Sequence, residues 1–217
     1  MSALLFDLDG TLIDSAPDLA GAANDMRMRR SMPALPIERL RPHAGSGARG
    51  MLATALAVAP GDAGYEALRE EFYGLYEARM LQQTRVFEAI VPLLEALDRH
   101  GLPWGIVTNK ALRFAEPQAR ALGLLDRSQA LVAGDSTAFT KPHPEPLLEA
   151  ARRLGQPASS CAYIGDDPRD MQAGRAAGMA TLAAAWGYLG VACAIDAWQA
   201  DHVLAQPCEL LHWLDLA

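Results

Sequence analysis

Lysine is almost absent from this chain. Among 217 residues only Lys110 and Lys141 carry an ammonium, and every other basic side chain is arginine. Where Arg is the default cation, an isolated Lys marks a place that needs a compact ammonium rather than a planar fork; the alternative is two surface lysines left by chance. Cysteine is scarce too. Cys161, Cys193 and Cys208 are odd in number, scattered and without zinc-ligand spacing. Free thiols in a reducing cytoplasm are therefore expected, not a disulfide scaffold or a zinc site. Positive charge is in deficit: a formal net charge of −7 speaks against a nucleic-acid surface, which needs basic patches. A small phosphorylated molecule is still allowed, because a local cation can overrule the global charge. No apolar run reaches the length of about 18 residues that a membrane helix requires. The N-terminus shows no basic region, long apolar run and cleavage site, so no signal peptide is expected. Hydrophobic content of 51% and charged content of 21% fit an ordinary globular protein with one large domain, or a core with a smaller insert.

What the chain does have is the stretch Leu4-Leu5-Phe6-Asp7-Leu8-Asp9-Gly10-Thr11. An apolar run climbs into two carboxylates one residue apart and stops at a Gly. This is the pattern of a buried parallel strand with acids at its C-terminal end, the edge where ligands sit in open α/β sheets. Alternation along a strand would turn Asp7 and Asp9 to one side. Two such carboxylates repel unless a cation sits between them or one is protonated, and a hard ion such as Mg²⁺ suits oxygen donors. Asp also serves as a covalent nucleophile in phosphoryl transfer.

From Leu102 onward, short apolar runs alternate with amphipathic helical patterns. Strands are expected at 104–107, 130–133, 161–164, 179–184 and 202–204, and helices at 112–122, 144–154, 170–177 and 209–216. Such alternation means βαβ units and a parallel sheet. Residues 15–81 differ. Helical patterns run from Ser15, as a cap residue, through Arg30, then over 37–41, 48–58 and 65–81, with no convincing strand. The expected architecture is thus an α/β, three-layer, Rossmann-like core built from 1–14 and 82–217, with an all-helical cap inserted at 15–81, over the edge that carries Asp7 and Asp9. A lid in that place can exclude water and select substrates.

Four strand ends carry chemistry: Asp7 and Asp9; Thr108, Asn109 and Lys110; the loop with Lys141-Pro142; and Gly165-Asp166-Asp167-Pro168-Arg169-Asp170. Parallel strands bring these ends to one edge, so hydroxyl, amide, ammonium and carboxylates converge as phosphoryl transfer requires. In these four motifs, in this order, the sequence resembles the haloacid-dehalogenase-like hydrolases, and specifically their phosphoglycolate-phosphatase-like branch. The resemblance spans the whole chain. It implies Asp7 as nucleophile forming an aspartyl-phosphate, and Asp9 as the acid and then the base. It implies Mg²⁺ held by Asp7, the backbone carbonyl of Asp9, and Asp166, and phosphoryl oxygens held by Thr108, Asn109 and nearby backbone N–H groups. Lys141 would neutralise charge between Asp7 and the phosphate, and Asp170 would orient Lys141 or a metal-bound water, although an Asp there can also simply cap a helix. Asp167 is assigned no role, and Lys110 is expected to touch only solvent. The five histidines share no metal-like spacing, and the Trp and Met residues are expected in the core.

Within the branch, Val107-Thr108-Asn109-Lys110 and the Gly45-Ser46-Gly47-Ala48 turn resemble phosphoglycolate phosphatases. Arg49, Arg113-Phe114-Ala115-Glu116-Pro117 and Gly165-Asp166-Asp167 resemble the N-acetylmuramic acid 6-phosphate phosphatases of cell-wall recycling more closely. In either case Gly47 and Arg49 would enter the site from the cap, with Arg49 gripping a substrate carboxylate. The implied partner is a small phosphorylated metabolite or an amino-sugar phosphate, with the protein a monomer or weak dimer. Asp9 argues against a true dehalogenase, and the lysine-free cap against a phosphonatase. A phosphomutase or a non-catalytic phosphate-binding regulator remains as the reading from another class.

Overall fold

The computed structural model describes residues 1–191 and 194–216; Cys193 lies outside them. Strand β1 (Ala3–Phe6) is followed by a two-residue strand β2 (Ile13–Asp14). Helices α1 (Ala16–Arg29), α2 (Ile37–Leu40), a 3-10 helix (Arg41–Ser46), α3 (Gly47–Leu56) and α4 (Tyr65–Glu77) come next. The chain returns through β3 (Arg85–Val86) and continues as α5 (Ile90–Arg99), β4 (Trp104–Val107), α6 (Leu112–Ala121) and β5 (Ala130–Val132). Helix α7 (Glu145–Arg153), β6 (Cys161–Gly165), α8 (Pro168–Ala176), β7 (Ala180–Ala184), β8 (His202–Leu204) and α9 (Glu209–Trp213) complete it.

Six strands form one parallel sheet in the order β5-β4-β1-β6-β7-β8. All four residues of β1 are buried because it is central and covered on both faces. Leu4 and Phe6 face one core with Leu93 and Leu97 of α5 and Leu210 of α9. Ala3 and Leu5 face the other with Leu147 of α7 and Ala173 of α8. This period-two partition is what makes three layers. With β4 on one side of β1 and β6 on the other, the chain changes direction at β1, which opens a crevice at its C-terminal end.

Helices α1 to α4 surround a core of their own, built from Leu19, Met26, Leu40, Met51, Leu52, Phe72 and Tyr76, with Phe114 of α6 and Tyr188 packed into it. The segments leading out and back pair as an antiparallel ribbon, Ile13 opposite Val86 and Asp14 opposite Arg85. The fully buried Asp18 carboxylate fastens the returning segment, accepting the N–H of Thr84 at 2.8 Å, its hydroxyl at 2.8 Å and the N–H of Gln83 at 3.0 Å.

Three local expectations need correction. Ser15 does not cap α1 with its side chain; its hydroxyl donates to Asp9. The first N–H groups of that helix are instead met by the Tyr188 hydroxyl, 2.8 Å from the Ser15 nitrogen and 3.0 Å from that of Ala16. Helix α8 begins at Pro168 rather than Asp170, because Asp167 is its N-cap and forms a reciprocal capping box with Asp170. Finally, Met28 and Met32 are exposed rather than core, and Trp186 and Trp213 are only partly buried. Among the described residues no helix is long and apolar enough to cross a membrane, and the thiols of Cys161 and Cys208 are free.

Candidate active site

The strand β1 ends at Phe6, so strand alternation does not by itself place Asp9. A tight turn does: the N–H groups of Leu12 and Ile13 both donate to the Leu8 carbonyl at 3.0 Å, and Gly10 sits at φ +87°. A Cβ on Gly10 would lie 2.2 Å from Asp166 Oδ2, so only glycine lets this turn pass so close to that carboxylate. Both Asp7 and Asp9 then line one cavity of about 310 Å³, between the sheet edge and the helical insertion. Its floor includes Thr108, Asn109, Lys141, Asp166 and Asp170, and its far wall Tyr65, Phe72, Tyr73 and Tyr76.

Lys141 is the hub of the floor. Its Nζ lies 2.9 Å from Asp7 and 2.8 Å from Asp170, and donates to the Tyr163 hydroxyl at 2.7 Å and the Val107 carbonyl at 3.1 Å. Burial works against its charge, yet Asp170 and Asp7 outweigh burial and raise its pKa. Asn109 fastens the backbone of Lys141 from both sides: its amide donates to the carbonyl and its oxygen accepts the N–H, each at 2.9 Å. The side chain of Asn109 is thereby spent on Lys141. Thr108 is buried and its oxygen accepts the Lys110 N–H at 3.2 Å, which leaves its own proton to donate.

Carboxylates exceed cations here. Asp7, Asp166 and Asp170 bring oxygens within 4.8 Å of one another against the single ammonium of Lys141. Burial pushes the Asp7 carboxyl up to about 7, with Asp170 and Asp9 adding to the effect and Lys141 opposing it. Burial, then Asp7 and Asp170, hold the Asp166 carboxyl well above the carboxylate range. Asp166 is fixed by the Thr11 hydroxyl at 3.0 Å and the Tyr188 N–H at 2.7 Å. Converging hard oxygen donors whose charged forms burial disfavours, with one ammonium among them, fit a divalent cation of the Mg²⁺ type. The carboxylate of Asp9 points elsewhere, to Ser15 and Lys110, so its place in such a ligand set rests on its main-chain carbonyl.

Two sequence expectations change at this point. Lys110 is not a solvent-facing lysine: its side chain is 9% exposed and its Nζ lies 2.7 Å from Asp9. The near-absence of lysine was the signal for it, and both lysines of the chain end on one of the two motif acids. Asp167 also acquires a role. Besides capping α8 it binds Arg169 through both oxygens, at 2.7 and 2.8 Å, and Arg169 donates to the Gly45 carbonyl of the insertion at 2.8 Å. Asp170 does both things weighed for it: it completes the capping box and pairs with Lys141.

In the roof, Gly47 joins the 3-10 helix to α3 at φ +55°, and Arg49 follows it, exposed and lining the cavity. Sequence reasoning missed the aromatic wall and the Arg113 guanidinium stacked beside it, 4.5 Å from the ring centre of Phe114 and 5.0 Å from that of Tyr73.

A family model described as haloacid dehalogenase-like hydrolase matches residues 1–178. The chain is 46% identical over 209 residues to a phosphoglycolate phosphatase of Xanthomonas campestris pv. campestris, covering 96% of this chain and 94% of that one. It is 41% identical over 217 residues to an N-acetylmuramic acid 6-phosphate phosphatase of Pseudomonas putida, covering 100% and 97%. Among solved structures, a predicted phosphoglycolate phosphatase from Haemophilus somnus superposes with a TM-score of 0.86 over 99% of this chain and 98% of that one, at 24% identity, which speaks to fold alone.

Proposed function

The chain belongs to the haloacid dehalogenase-like hydrolases, and on that basis we propose that, as a phosphoric monoester hydrolase, it works through Asp7. The observation that carries this reading is the buried Lys141 ammonium set between Asp7 and Asp170 at the cavity floor. Lys141 keeps charge balanced while Asp7 attacks phosphorus and the ester oxygen leaves with a proton from Asp9. A water then attacks the aspartyl-phosphate, Asp9 takes its proton, and Asp7 departs as a carboxylate with inorganic phosphate. Thr108 and the main-chain N–H of Asn109 hold phosphoryl oxygens through both steps. Mg²⁺, held by Asp7, the carbonyl of Asp9, and Asp166, supplies charge neutralisation when bound. Helices α1 to α4, residues 15–81, act as the cap.

For the substrate, 2-phosphoglycolate is the first reading, given the name of the relative at 46% identity. A second reading, N-acetylmuramic acid 6-phosphate, is favoured by the cavity itself. A two-carbon acid leaves much of about 310 Å³ empty, and Tyr65, Phe72, Tyr73 and Tyr76 offer the apolar faces on which a sugar ring packs. Both substrates carry a carboxylate for Arg49. The test compares kcat/KM for these two esters and p-nitrophenyl phosphate, in wild type and Arg49→Ala. The substrate with the higher kcat/KM takes the assignment. Arg49→Ala is expected to raise KM for the carboxylate-bearing esters by an amount worth about 1.5–3 kcal/mol and to spare the aryl ester. Equal losses on all three would remove Arg49 from recognition.

A further inference from the structure

The ammonium of Lys110 has three donors and meets three acceptors from three different elements. They are Asp9 Oδ1 at 2.7 Å, the Tyr76 hydroxyl at 2.8 Å and Gln118 Oε1 at 2.5 Å. Asp9 follows β1, Tyr76 belongs to α4 of the insertion, and Gln118 to α6 of the core. Gln118 is itself held, its amide donating to the Met80 carbonyl at 2.7 Å and to the Tyr76 hydroxyl at 3.0 Å. The geometry points to Lys110 as a positioning residue: it fixes the Asp9 carboxylate and ties that placement to the seating of α4 through Tyr76.

Three arguments carry this. A buried ammonium is costly unless every donor is met, and here every donor is met, one of them by the insertion. A tetrahedral head suits three divergent acceptors, whereas the planar fork of Arg, the chain's usual cation, does not. The Ser15 hydroxyl donates to the same oxygen, Asp9 Oδ1, so both of its donors are in place only while the start of α1 and the seat of α4 are. Removing Lys110 frees Asp9 to rotate without touching Asp7, Lys141 or Asp166.

The inference rests on Asp9 acting as the acid and base, and the experiment separates the two claims. p-Nitrophenolate leaves without needing a proton, so the first half-reaction with p-nitrophenyl phosphate, phosphoryl transfer to Asp7, does not use Asp9. In that step the ester P–O bond breaks as the Asp7–phosphorus bond forms. The second half-reaction does use it: the water–phosphorus bond forms, the Asp7–phosphorus bond breaks, and the proton goes to Asp9. In Lys110→Met the first-turnover burst should keep its rate while steady-state turnover falls about 10²-fold, the range of general-base catalysis. Tyr76→Phe should fall in the same direction by about tenfold, the low end for a hydrogen bond to a charged group. If burst and steady state fall together, or if steady state is unchanged, Lys110 does not position Asp9. Should Lys110→Met fail to fold, an unchanged steady state in Tyr76→Phe overturns the inference. A wild type that hydrolyses no phosphomonoester would overturn instead the reading on which it rests.

Discussion

The carboxylate of Asp18, in the first turn of the outgoing helix, takes both the N–H and the hydroxyl of Thr84 on the returning segment. Nothing in the local sequence signals this, because the partners lie 66 residues apart. Asp18→Ala leaves buried donors of Thr84 and Gln83 unmet and should lower stability by about 2–3 kcal/mol. A denaturant melt with an unchanged m-value checks it. Asp18→Asn keeps an acceptor and should lose less.

Asp7→Asn should abolish turnover while the protein stays folded, since an amide is not a competent nucleophile. Burial makes the Asp7 charge costly in the folded state, so the neutral isostere is expected to melt no lower than wild type above neutral pH. Measurable turnover from a folded Asp7→Asn protein would remove Asp7 as the nucleophile.

Metal binding should depend on pH with a definite sign. Burial pushes the Asp7 carboxyl up to about 7 in the folded state, from an ordinary value of 3.8. Between these values the metal-free fold holds a proton that the unfolded chain has lost, so its stability declines as pH rises through the folded value. Coordination needs the carboxylate and so displaces that proton. Mg²⁺ should therefore raise Tm more at about pH 8 than at about pH 5.5. EDTA should remove both this gain and activity. A gain independent of pH would mean that Asp7 is not among the ligands.

Lys141→Ala should lower kcat by about 10²–10³, as for other preorganised electrostatic groups. Lys141→Arg should restore little, because a planar head does not fit between Asp7, Asp170 and the Tyr163 hydroxyl. Steady-state kinetics on one ester decides the matter, and a wild-type kcat in Lys141→Ala would reduce the residue to a structural ion pair.

Elements whose signal is local were legible in the sequence. Trp104–Val107 is an unbroken apolar run before polar residues and is a strand over those residues. Gly123 ends the pattern of α6 and has φ +71°. The four acidic, hydroxyl and lysine motifs reach one edge because parallel connectivity leaves no other place for them. What escaped was non-local or too short. Strands β2 and β3 have two residues each, below any periodicity. Helix α5 has no counterpart in the sequence reading, as Pro92 interrupts its opening Ile90-Val91 run. Tyr188, Tyr76 and Gln118 matter through partners on other elements, and no spacing announces a hydroxyl that meets a helix start or an amide that steadies an ammonium. Lys110 had a compositional signal, but its partner was not readable without the fold.

The ribbon of β2 and β3 brings the two ends of the helical segment side by side. Topologically, the whole roof is then one long loop whose closure is already made by two short strands. The entropy of closing a loop grows only with the logarithm of its length. Helices could therefore be added to or trimmed from this segment at little cost to the frame beneath, where Asp7, Thr108, Lys141 and Asp166 sit on the segments that follow strands β1, β4, β5 and β6. Tyr76 and Gly45 are among the points where a new roof must still fit the old floor, since Tyr76 reaches Asp9 through Lys110 and Gly45 accepts from Arg169.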